Sequence, residues 1–142
     1  NTRDLQPLTI EESAAWCARL AANPHAWIIE EKGRLIGEIR LDQLDPRDRR
    51  ASLAVCIYDP ARLGQGLGTE TVGLVLSHAF EDLGLHRIGA RVLAYNARAI
   101  RCYEKCGFVI EGRERESALV NGERHDDVLM GILARDYRVA SV

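Results

Sequence analysis

Apolar residues along this chain recur with two periods, and the switches between them divide it into elements. Thr9-Ile10-Glu11-Glu12 puts a capping residue before a Glu three positions on, and Ala15, Trp16, Ala18, Leu20 and Ala22 follow at helical spacing. An amphipathic helix is expected there, ending near Asn23-Pro24. Ala26–Glu30 and Leu35–Leu44 read as strands around the turn Lys32-Gly33, and Ala51–Tyr58 as a third, which together make an antiparallel meander. The charged stretch Asp45–Arg50 reads as a solvated loop.

From Gly68 onward Val72, Val75, Leu76, Ala79, Phe80 and Leu83 share one helix face, and Gly84 supplies the stop. His86–Tyr95 is then a strand, Ala97–Cys106 a short helix closed by Gly107, and Phe108–Leu119 with Glu123–Leu133 a hairpin across Asn121-Gly122. This order of elements predicts an α+β (mixed α/β) fold in a single domain spanning residues 1–142.

Composition narrows the classes of function. With 142 residues, 46% of them hydrophobic, the chain can bury roughly 68–70% of its unfolded surface. Nineteen basic against 21 acidic residues give a net charge of −2, so no strong positive field is available to gather nucleic acid or an anionic membrane. No apolar run reaches the length of a membrane span and the N-terminus lacks signal-peptide character, so a cytoplasmic protein is expected. Cys17, Cys56, Cys102 and Cys106 form no C-x-x-C pair and have no His at ligand spacing. They read as reduced structural thiols, and no metal is expected.

Candidate chemistry begins at Leu63-Gly64-Gln65-Gly66-Leu67-Gly68-Thr69, where glycine alternates just before a helix. Bare amides that converge at a helix N-terminus can hold a phosphate, so a diphosphate-bearing ligand is expected. Two familiar loops do not fit. A Walker A loop would need a second Gly where Thr69 stands, followed by Lys, and the dinucleotide fingerprint would need a third small residue at Thr69 in the first βα turn. A glycine-rich turn that holds no ligand is the alternative at this point.

One strand further on lies Asn96-Ala97-Arg98-Ala99-Ile100-Arg101-Cys102-Tyr103-Glu104-Lys105-Cys106-Gly107-Phe108. This segment resembles the N-x-x-[AS]-x-x-x-Y-x-K-x-G-F motif of the GNAT superfamily of acyl-CoA-dependent N-acetyltransferases, and Gly66 and Gly68 match the small positions of that family's pyrophosphate loop. Leu35-Ile36-Gly37-Glu38, Gly68-Thr69-Glu70, Leu85-His86-Arg87 and Glu111-Gly112 through Asn121-Gly122 to Asp127 and Met130 resemble the branch with ribosomal-protein-alanine and spermidine N-acetyltransferases. Two departures stand out: Leu63 replaces the loop's Gln or Arg, with Arg62 or Gln65 as substitutes, and the strand and helix that relatives carry at the front are expected to be absent.

The resemblance implies the acyl-CoA N-acyltransferase fold, a mostly antiparallel central sheet flanked by helices. Acetyl-CoA would enter a V-shaped gap between the strands Ser52–Tyr58 and His86–Tyr95, with its diphosphate on Leu63–Thr69. Backbone amides near Cys56, Ile57 and Tyr58 would pair with pantetheine and polarise the thioester carbonyl. Asn96 and Ala99 would also contact the cofactor, and Asn96 equally reads as the N-cap of the helix that follows. Tyr103 would be the general acid, a phenol of ordinary pKa about 10 close in basicity to the departing thiolate.

For the base that takes the amine's proton the candidate is Glu38, an acid inside an apolar run that also reads as an outward strand residue; His86 and His125 are alternatives by pKa alone. The expected reaction moves an acetyl group to a primary amine, either a protein N-terminus or a small polyamine-like acceptor, without metal. A non-catalytic acyl-CoA-binding or regulatory module is the other reading. The exposed edges of the hairpin leave room for a second copy of the chain, and a homodimer is an expectation of the resemblance.

Overall fold

The computed structural model describes residues 22–57 and 66–140. The helix expected from Thr9 and the expected site residues Tyr58, Leu63, Gly64 and Gln65 lie outside the described residues. Within them run β1 (Ala26–Glu31), β2 (Arg34–Asp45), β3 (Arg50–Ile57), α1 (Leu67–Ser77), a π-helical segment (His78–Asp82), β4 (Arg87–Leu93), α2 (Ala97–Lys105), β5 (Val109–Val120), β6 (Glu123–Leu133) and α3 (Ala134–Ala140).

Two tight turns set the hairpins. Lys32 and Gly33 take φ of 53° and 77°, and Asn121 and Gly122 take 50° and 79°. Positive φ at both central residues is the geometry whose twist matches that of paired strands, so each turn aligns its flanking register. The six strands form one sheet in the order β1-β2-β3-β4-β6-β5. Every neighbour pair is antiparallel except β3 and β4, which are parallel and joined by the crossover that carries α1.

Alternation along β2 buries Ile39 and Leu41, each 1% exposed, in a core that includes Leu53, Ile88, Val92 and Ile132. Val72, Val75 and Leu76 of α1 close that core from above the sheet. Their burial at helical spacing holds the N-terminus of α1 in place.

Two elements differ from the sequence expectation. The helix from Gly68 to Leu83 is α-helical only to Ser77, after which Leu83 N–H donates to His78 O at 3.0 Å in the wider π turn. That turn starts where the His78 ring meets Trp27 of β1 edge-on at 5.4 Å, a tertiary contact that helical spacing does not encode. The short helix α3 is also additional. Asp136 Oδ2 accepts Leu133 N–H at 3.0 Å, and Tyr137 stacks on Phe80 at 5.2 Å, which ties this helix to the π segment.

Candidate active site

The parallel ladder between β3 and β4 covers four pairs, from Arg50–Arg87 to Leu53–Ala90. Beyond them β3 stays paired with β2 through Ile57, and β4 stays paired with β6 through Leu93. The two strands therefore part, and a cavity of about 810 Å³ opens between them. Glu38, Arg40 and Asp42 of β2 stand opposite Cys56, Ala54 and Ser52 of β3, so alternation turns all six to the face that lines it.

Charge in this wall is clasped. Arg40 donates from Nη1 to Glu38 Oε1 at 3.2 Å and from Nε to Asp42 Oδ2 at 2.8 Å, which holds Glu38 in the wall although it is only 4% exposed. Arg87 and Glu111 form a two-pronged pair at 2.7 and 2.5 Å, and the arginine holds the Glu111 carboxyl below its usual range. Arg91 reaches Glu114 at 2.7 Å and the fully buried Asp127 at 3.5 Å, and Asp127 also accepts Ser117 Oγ at 2.9 Å. Burial raises the Cys56 thiol.

α2 adds Tyr103 to the cavity wall, beside Arg87, Arg91, Glu111, Leu129 and Met130 from the strands of the C-terminal half. Asn96 Oδ1 accepts the Ala99 N–H at 3.1 Å, the cap that starts the helix. Two turns on, Tyr103 is buried, 5.0 Å from the Phe108 ring in a T-shaped contact, and lines the same cavity as Glu38 and Cys56. Burial, then the nearby Cys102 and Cys106, push its phenol well above the ordinary value of 10, so it carries its proton throughout the neutral range. The expected match to thiolate basicity is revised accordingly: desolvation makes this phenol a weaker acid than the free side chain.

At the head of α1, Gly66 takes φ of 76° and, being glycine, brings no side-chain cap to the first-turn amides. α2 packs against this turn through sulfur. Cys102 Sγ lies 3.4 Å from where a Cβ at Gly68 would be, Thr69 Oγ1 donates to it at 3.5 Å, and Cys106 Sγ donates to Thr69 O at 3.6 Å. The neighbouring Cys106, then the Thr69 hydroxyl, hold the Cys102 thiol below its ordinary range.

Known proteins share this fold. Residues 2–109 match the Acetyltransferase (GNAT) domain family. The chain belongs to the GNAT acetyltransferase family. It is 38% identical over 103 residues to a Bacillus subtilis protein named probable N-acetyltransferase YjcK, covering 72% of this chain and 57% of that protein. With the spermidine N(1)-acetyltransferase of Vibrio cholerae it is 32% identical over 112 residues, or 78% of this chain and 64% of that one. The chain thus spans about three fifths of the length of these relatives. Among solved structures, spermidine N-acetyltransferase from Vibrio cholerae in complex with CoA and spermine superimposes with a TM-score of 0.81 at 27% identity, covering 93% of this chain and 79% of that chain. The SpeG F149A mutant from the same organism gives 0.82 at 27% identity, covering 100% and 88%.

In this GNAT chain the expected site residues fall into two groups. Glu38, Cys56 and Tyr103 meet at the cavity. Gly66, Leu67, Gly68 and Thr69 form the head of α1, with Asn96 and Ala99 at the head of α2 and Ile57 ending β3. The two histidines weighed as bases stand elsewhere. His86 is exposed ahead of β4, and His125 lies edge-on to Tyr95 at 4.8 Å in a separate depression of about 390 Å³. Sequence reasoning passed over Arg40, Asp42 and the Arg87–Glu111 fork, because alternation marks them only as outward strand residues.

Proposed function

We propose that this chain transfers the acetyl group of acetyl-CoA to a primary amine, either a protein N-terminus or a small polyamine-like molecule. The observation that carries this reading is the parting of β3 and β4 after Leu53 and Ala90, with Tyr103 and Glu38 on the cavity it opens. Membership of the GNAT family supports it, as does the likeness to a spermidine N-acetyltransferase solved with CoA and spermine.

In this reading the diphosphate sits on the amides of Gly66–Thr69 at the head of α1, and the pantetheine arm runs along the edge of β3 that β4 leaves, near Cys56 and Ile57. Amides on that edge polarise the thioester carbonyl. The amine loses a proton toward Glu38, through a water chain where needed, and its nitrogen attacks the carbonyl carbon. As the C–N bond forms and the C–S bond breaks, Tyr103 gives its proton to the leaving sulfur and regains one from solvent. Asn96 orients pantetheine while capping α2. A homodimer paired through the edge of β5 is part of the proposal, supported by the exposure of Val109 and Ile110 there.

The test is release of free CoA thiol from acetyl-CoA, followed by a thiol reagent, across a panel of N-terminal peptides, polyamines and amino acids. Turnover with at least one amine supports the proposal. Tight acetyl-CoA binding without turnover on any amine would make the chain an acyl-CoA-binding module instead.

A further inference from the structure

We infer that Cys102 and Cys106 form a redox-sensitive thiol pair at the head of α1, which a hydroperoxide converts to a disulfide that loosens the first turn of that helix. The spacing brings the two within reach only if the helix end yields. Residues i and i+4 of a helix share one face with Cα atoms about 6 Å apart, inside the span a disulfide bridges, but their Cβ atoms are about 5–6 Å apart against the roughly 3.5–4.5 Å the bond needs, so the last turn of α2 must give way by about 1–2 Å. Cys106 is moreover the C-cap of α2, the position at which the helix can yield most easily. Both thiols are half-buried and so open to a small oxidant.

The surroundings prepare one sulfur to react. Cys102 accepts a hydrogen bond from the Thr69 hydroxyl at 3.5 Å, and it faces the amino end of α1, whose dipole favours negative charge. The Cys106 S–H donates to the Thr69 carbonyl at 3.6 Å, so both sulfurs converge on one residue. By contrast burial raises the Cys56 thiol, so the described cysteines are not prepared alike.

The chemistry balances in two steps. The Cys102 thiolate attacks a hydroperoxide oxygen, the O–O bond breaks, and a sulfenic acid and an alkoxide or hydroxide result. The Cys106 sulfur then displaces the sulfenic hydroxyl, which leaves as water with the Cys106 proton. Two thiols are oxidised by two electrons and one hydroperoxide is reduced.

The consequence reaches the helix through Thr69. In the reduced form that residue is held twice by sulfur, through its hydroxyl and its carbonyl. A disulfide removes the S–H donor and draws Cys102 away from Thr69 Oγ1, so the turn of Gly68 and Thr69 loses both anchors. That the affected ligand is CoA rests on the function proposed above.

The test treats the reduced protein with hydrogen peroxide and maps its peptides. The expected result is a linked Cys102–Cys106 peptide reversed by dithiothreitol, with CoA affinity about tenfold weaker in the linked form, a coupling of ordinary size between two sites. Cys106→Ser is expected to stop at a sulfenic acid that dimedone traps on Cys102. Absence of the linked peptide while free cysteine in the same tube is oxidised would overturn the pair, and unchanged CoA affinity of the linked form would overturn its effect on α1. Peptide mapping needs no variant to fold. If the reduced protein binds no CoA at all, the proposed function falls, and the map still decides the thiol pair.

Discussion

The carboxylate of Glu111 fills the space that a side chain at Gly131 would need: a Cβ there would lie 2.6 Å from Glu111 Oε2. The bare strand position on β6 is what lets Glu111 lie flat and receive the fork of Arg87. Gly131→Ala is therefore expected to swing the end of Glu111 away and break that pair. Because the displaced group is the tip of a flexible side chain and the pair is partly exposed, the cost is small, about 1 kcal/mol or less. In a Glu111→Ala background the same change becomes neutral or stabilising by about 0.5 kcal/mol, since Ala narrows the unfolded ensemble. Urea midpoints for the four proteins of this double-mutant cycle check it.

The same pair predicts a pH dependence. Arg87 depresses the folded pKa of Glu111 below its ordinary 4.5, so its stabilisation is present above that value and is lost as pH falls through the lower folded value. Thermal unfolding between neutral pH and pH 3 should lose stability less steeply in Glu111→Gln than in the parent. Equal slopes would remove Glu111 from the acid limb.

Asn96 carries two roles that substitution separates. Asn96→Ala deletes the acceptor of the Ala99 N–H and should cost about 1 kcal/mol of stability and also weaken CoA binding. Asn96→Asp keeps the cap and should restore stability without restoring affinity, because the amide donor is gone. Calorimetry of unfolding and of CoA titration reads the two effects independently.

For Tyr103→Phe the expectation is a fall in kcat of about a hundredfold with CoA affinity nearly unchanged, the size usual for loss of a general acid. The ring contact with Phe108 survives this change, so stability should move little. Parent-like turnover would assign the proton to water or another donor.

Glu38→Gln should lower kcat/KM and remove the acidic limb of the pH–rate profile, while Arg40 keeps Asp42 as a partner at 2.8 Å and the wall stays folded. An unaltered profile would return Glu38 to a purely structural part.

Much of this molecule is legible from local pattern because local physics decides it. Lys32-Gly33 and Asn121-Gly122 announce turns of positive φ, and those turns are present with the strands they imply. The alternating glycines and the Asn96–Phe108 segment point to a GNAT domain, and the family match agrees. What stayed hidden depends on contacts between distant segments. The π segment answers to Trp27, and the Arg40 clasp to a register that only the folded sheet sets. Cys102 and Cys106 looked inert because nothing in their spacing says that Thr69 lies across from them.

With four residue pairs joining β3 to β4, the sheet is two three-stranded plates meeting along a short seam. A long ligand lodged across that seam would act as a rivet, sharing load that few backbone bonds now bear. Stiffness would then come from occupancy as much as from the polypeptide, and the empty protein would breathe along this line before it melts anywhere else.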